Sequence, residues 1–79
     1  MVDEIEFLEL LADVLEIEPE DISLFTDYRT EIEDWDSLKG FMIITTIEEN
    51  FEILISVEDF EAMNTIGDLY NYVKTANGE

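Results

Sequence analysis

Asp36-Ser37-Leu38-Lys39-Gly40-Phe41-Met42-Ile43-Ile44-Thr45-Thr46-Ile47 is the stretch on which the fold turns. By local propensity the part from Phe41 to Ile47 suits a strand, being dense in β-branched and aromatic residues. Phe51-Glu52-Ile53-Leu54-Ile55-Ser56-Val57 has the same character, so the two would form a hairpin across Glu48-Glu49-Asn50. Gly40 also weakens a helix, by up to about 1 kcal/mol relative to alanine. Spacing argues the other way. Leu38, Phe41, Met42 and Thr45 fall at i, i+3, i+4, i+7, and Ile43, Ile47 and Phe51 continue an adjacent face. A lone hairpin would leave two open edges and no third strand, which is marginal in water. The reading is therefore a helix over about 37–50, apolar on so much of its circumference that it is largely buried or meets a partner.

The residues before this helix form a loop of turn formers ending in Asp34-Trp35-Asp36, with Trp35 expected as a plug just ahead of Ser37. A small hydroxyl thus stands at a helix mouth, where it can be exposed, held rigidly and reached by another protein. The ordinary job of Asp or Ser in such a place is to cap the helix, accepting from orphan backbone N–H groups.

Working outward, Ile5, Leu8, Ala12 and Leu15 mark a helix over about 3–15, its stripe widened by Phe7, Leu11 and Val14. Asp3 is its expected N-cap, with Glu6 as part of a capping box, and acids crowd a first turn whose dipole favours them. Pro19 ends this helix and can begin a short turn. Ile22 and Phe25 are then expected to drop onto the core, and a long, packed loop follows to Trp35. Ser56-Val57-Glu58-Asp59 reads as a capping box for a short helix over about 57–61. Thr65-Ile66-Gly67-Asp68 repeats that signal for a last helix over about 65–76, with Lys74 near its end and Asn77-Gly78 stopping it. The expected fold is all-α: one domain, 1–79, a small bundle of three main helices and one short one, with a long loop between the first two.

Composition narrows the chemistry. The chain has 79 residues, 47% of them hydrophobic, which suits one small globular domain with a modest core. It contains no cysteine and no histidine, which removes disulfides, thiol catalysis, the usual general base and most zinc chemistry. Twenty-two acids against three basic residues give a net charge of −19. Such a surface excludes nucleic acid, whose phosphates need Lys and Arg, draws basic partners, and makes the fold self-repelling and steadied by salt. No apolar run is long enough to cross a membrane and the start is not that of a signal peptide, so a cytoplasmic monomer is expected.

Asp36-Ser37-Leu38 lies mid-chain after one helix and one long loop. It is followed by Ile47-Glu48-Glu49-Asn50-Phe51, Ile55, the Ser56–Asp59 turn and Asn64-Thr65-Ile66. With the acidity and small size, this chain resembles an acyl carrier protein from about Val2 to Val73. The resemblance implies an acyl-carrier-like four-helix bundle that is not an enzyme. It implies that the Ser37 hydroxyl receives 4′-phosphopantetheine from coenzyme A through a separate phosphopantetheinyl transferase with Mg²⁺. The terminal thiol of that arm then carries acyl groups as thioesters between acyl-loading and acyl-processing enzymes of a lipid, polyketide or related pathway. Asp36 would position the serine, with Leu38 completing the signature. Phe41, Thr45, Ile55, Phe60 and Met63 match positions between which family acyl chains fold back, and equally they are candidates for plain core.

The sequence also departs from the family. Acids are usual near the start of the second helix, where they meet basic patches on partner enzymes. Here Lys39, Gly40 and Met42 occupy that stretch, and only Glu48 and Glu49 stand at later acidic positions. This points to a specialised carrier whose partners read a more apolar face, including an exposed Met42 or Ile44. The competing reading is an acidic interaction or adaptor module that is never modified. A divalent-cation sensor built on Glu31, Glu33 and Asp34 is a weaker one, since no EF-hand loop is present.

Overall fold

The structure is a computed structural model that describes residues 3–32 and 35–78. Glu33 and Asp34 lie outside the described residues, and so does the cation cluster that the weaker sensor reading would build from them and Glu31. Among the described residues the elements are α1 (Glu4–Leu15), a 3₁₀ turn (Pro19–Asp21), α2 (Ser37–Phe51), α3 (Val57–Ala62) and α4 (Ile66–Ala76). No strand occurs among them, only an isolated bridge between Asp27 and Thr65. The helical spacing from Leu38 onward therefore overrides the β propensity of Phe41–Ile47.

Side-chain caps start every α-helix. Asp3, Asp36, Ser56 and Thr65 accept from the backbone N–H groups of Ile5, Lys39, Asp59 and Asp68 respectively. Only at α4 is the box reciprocal: Asp68 accepts from the Asn64 and Thr65 N–H groups at 2.9 and 3.1 Å. Those bonds, Asn64 first, hold its carboxyl below the usual range. α1 and α2 end in left-handed residues, Glu16 and Glu52, in place of the more usual glycine.

The core forms around Phe7, Leu11, Leu15, Ile43, Ile47, Ile66, Leu69 and Val73, all fully buried or nearly so. Phe7 stacks obliquely on Phe51 and Tyr70 at 5.9 and 5.4 Å between ring centroids. The inward stripe of α1 is Phe7, Leu11, Ala12 and Leu15, whereas Ile5, expected to lead it, is 66% exposed. The inward stripe of α2 is Gly40, Ile43, Ile44 and Ile47. Leu38, Phe41, Met42 and Thr45, though perfectly spaced, face outward. Ile44 is buried and so is not the exposed contact expected of it.

Between the 3₁₀ turn and α2 the chain is stitched by its own short polar side chains. Thr26 Oγ1 accepts from the Ser23 N–H, and Asp27 Oδ1 accepts from the Arg29 and Thr30 N–H groups. Backbone bonds from Ile66 to Thr26 and from Gly67 to Leu24 tie this loop to the start of α4. A Cβ at Gly67 would come within 2.8 Å of the Leu24 carbonyl oxygen, so only glycine permits that approach. Ile22 packs inside as expected, but Phe25 is 89% exposed. The Ser23–Thr26 turn swings it outward while Leu24 takes the inner position.

Candidate functional site

Ser37 is the first residue of α2 and is exposed. The residue that caps the helix is Asp36, whose Oδ1 accepts from the Lys39 N–H at 2.9 Å. The serine hydroxyl is therefore not consumed by helix capping. α2 is also the one helix of the four described whose first turn holds no acid; α1, α3 and α4 each have at least one there. Lys39, in that first turn, is unfavourable against the helix dipole.

Ser37 also stands on the rim of a cleft of about 470 Å³ between α2 and α3. α2 contributes Ser37, Gly40, Phe41 and Ile44, which is one helical face at i, i+3, i+4, i+7. α3 contributes Val57, Phe60 and Glu61, and the preceding loop contributes Arg29 and Trp35. Gly40 sets the width: a Cβ there would stand 3.3 Å from Phe60 Cε2 and 3.6 Å from Trp35 Cζ2. Trp35 leans on Tyr28 with 5.2 Å between centroids and leaves Ser37 uncovered.

Of the five expected pocket residues, Phe41 and Phe60 line this cleft. Thr45 is exposed on the outer face of α2, and Ile55 is buried in the core. Met63 is buried and borders a separate shallow hollow with Asp68 and Tyr72. Arg29, Gly40, Ile44, Val57 and Glu61 were not anticipated there. Counting from Ser37 instead of Leu38 would have found Gly40 and Ile44, since the two stripes differ by one residue, about a quarter-turn. Of the residues expected to meet partners, Met42 and Glu49 are exposed and Lys39 is half-buried. Glu48 instead bonds within the chain, its Oε2 accepting from the Ile55 N–H at 2.9 Å and closing the α2–α3 connection.

The α3 wall hangs on Tyr28. This ring is fully buried, and its hydroxyl shares its proton between the Phe60 and Met63 carbonyls at 3.2 and 2.9 Å. Burial pushes the phenol up to about 12. Because the folded value is raised, the stabilisation is complete below the unfolded value of about 10 and is lost as pH rises from there through 12. In an alkaline absorbance titration, Tyr28 should ionise only near pH 12, together with unfolding. A tyrosine count complete by pH 11 with the helices intact would contradict this burial.

A family model described as phosphopantetheine attachment site matches residues 6–73, most of the chain. An acyl carrier protein of Streptococcus pyogenes serotype M3 is 39% identical over 66 residues, 84% of either chain. The chain belongs to the acyl carrier protein family. The acyl carrier protein of Chlamydia trachomatis serovar L2 is 32% identical over 65 residues, 82% of this chain and 83% of its own. That of Chlamydia felis is 46% identical over 44 residues, 56% of each. Acyl carrier proteins are carriers and not enzymes, and they bear 4′-phosphopantetheine covalently. They work with a phosphopantetheinyl transferase and with acyl-handling enzymes. The local geometry fits that group: an exposed hydroxyl, a helix start free of acids in its first turn, and an adjoining cleft. Among the described residues no helix is long and apolar enough to cross a membrane, and no cluster of acids is arranged to hold a metal ion.

Proposed function

We propose that Ser37 is the attachment residue and that the chain is a specialised acyl carrier. The observation that carries the reading is the division of labour at the α2 start: Asp36 caps, leaving the Ser37 hydroxyl exposed beside a cleft. Ser37 Oγ bonds to the phosphorus of the 4′-phosphopantetheinyl group as the pyrophosphate link of coenzyme A breaks. Adenosine bisphosphate leaves with Mg²⁺, and the hydroxyl proton passes to a base on the transferase. No histidine is available in this chain to act as that base. Once attached, the arm supplies a terminal thiol for thioesters, which this cysteine-free chain otherwise lacks. The backbone N–H groups of the α2 start favour the phosphate's charge, while Asp36 holds the serine in place through its cap.

Partner contact is assigned to the outer face of α2. Leu38, Phe41 and Met42 are 67, 56 and 41% exposed there, with Val57 of α3 beside the same cleft. An apolar patch next to the attachment point, on a body of net charge −19, suits enzymes that present an apolar dock within a basic surround. Lys39 lies within that patch in sequence, between Leu38 and Phe41, and Glu49 follows later on the same helix.

The test is to incubate the protein with coenzyme A, Mg²⁺ and a broad-specificity transferase and to read its intact mass. The reading expects complete conversion to a single phosphopantetheinyl adduct. No adduct with several transferases would return the chain to the unmodified adaptor reading.

A further inference from the structure

Arg29 is the chain's only arginine and one of three basic residues among 79. It lies half-buried on the cleft that Ser37 borders. The loop holds it firmly. Its Nη2 donates to the Phe60 carbonyl at 2.8 Å, and its guanidinium carbon lies 5.5 and 5.8 Å from the Tyr28 and Phe60 ring centroids. A guanidinium carries five N–H donors in a rigid fork, and the Phe60 carbonyl takes one of them. Most of the surrounding lining is apolar: Trp35, Phe41, Ile44, Val57 and Phe60.

This pairing of a fixed cation with apolar walls makes a demand on whatever enters. A saturated chain strips water from the guanidinium and returns no acceptor, which costs free energy. A chain bearing an oxygen at guanidinium height replaces that water. A site built to hydrogen-bond discriminates strongly against the analogue that lacks the partner. A carboxylate would meet Glu61 on the same cleft and the field of a chain at −19, so the fitting oxygen is uncharged.

We propose that Arg29 makes this cleft select acyl groups carrying a neutral oxygen, a hydroxyl or oxo group, over saturated chains of equal length. The proposal rests on Ser37 bearing the arm, as argued above, and it names the class of cargo. Arg29 acts here as a specificity-determining residue, not as part of the attachment reaction.

The experiment loads the chain from hexanoyl- and 3-hydroxyhexanoyl-coenzyme A with the transferase. Intact mass checks loading. The readout is the rate of thioester cleavage by hydroxylamine, each divided by the rate for the matching coenzyme A thioester. In the wild type the hydroxylated cargo should be protected about tenfold or more over the saturated one, as one hydrogen bond to a charged group would give. Arg29→Gln should reduce that ratio to near one, and Arg29→Lys, which keeps the charge without the fork, should fall between. Circular dichroism melts check that both variants fold. Should neither fold, the wild-type ratio still decides: equal protection of the two cargoes overturns the proposal. Equal loss of protection for both cargoes in Arg29→Gln also overturns it, since Arg29 would then serve the arm or the α3 wall. Absence of any arm in the mass spectrum overturns both this inference and the assignment of Ser37. A loaded protein with a ratio of one overturns only the inference.

Discussion

Ser37→Ala will abolish phosphopantetheinylation completely and leave the fold intact. Both halves follow from the same geometry. The side chain is exposed and the cap belongs to Asp36, so alanine at the first helical position removes no buried contact and no capping bond. The melt should therefore move by no more than an exposed substitution allows, within about 0.5 kcal/mol. Loading should fall to nothing, because the bond that holds the arm needs that oxygen. A loaded Ser37→Ala protein would place the attachment elsewhere. An unloaded but unfolded one would show that the serine supports the fold through a contact absent from this structure.

Phe7→Ala will have the largest effect on stability. Phe7 is fully buried and packs against Phe51 of α2 and Tyr70 of α4, so its ring joins three helices. Truncating a buried phenylalanine costs about 3–5 kcal/mol. A domain of this size is held by roughly 4–12 kcal/mol. The melting temperature should drop by at least about 15 °C, or the cooperative transition should vanish. Phe25→Ala supplies the comparison, since that ring is 89% exposed and its removal should leave the melt within about 0.5 kcal/mol. Thermal melts followed by circular dichroism measure both. Equal destabilisation by the two would mean that the Ser23–Thr26 turn does not hold Phe25 outward.

Much of the fold was legible because capping and period speak locally. Asp3, Asp36, Ser56 and Thr65 each mark a helix start in the sequence, and each accepts the bond that marking implies. The choice between strand and helix at Phe41–Ile47 also came out correctly from spacing. What spacing could not decide was which of two apolar stripes on α2 points inward. Leu38, Phe41, Met42 and Thr45 match the template as well as Gly40, Ile43, Ile44 and Ile47 do. The difference is made by tertiary contact: Phe60 and Trp35 close on Gly40, where no side chain stands in the way. The same offset places Phe41, which the outward stripe shares with the cleft face, on the cleft and leaves Thr45 on the outer face, while Ile55 and Met63, outside α2, are taken up by the core.

The loop was the least legible part. Nothing in its pattern told Ile22, which is buried, from Phe25, which is not; that is settled by the Thr26 and Ser23 side chains turning the backbone. Arg29 was missed because its place depends on contacts across more than thirty residues of sequence, to the Phe60 carbonyl. Its rarity in so acidic a chain was the one available signal.

The most direct measurement is to map the arm. After modification by the transferase, digestion with an acid-specific protease and fragmentation of the peptides identifies the residue that carries the added mass. The account predicts the phosphopantetheinyl group on Ser37 alone. Finding it on Ser23 or Ser56, or on no residue at all, would contradict the account.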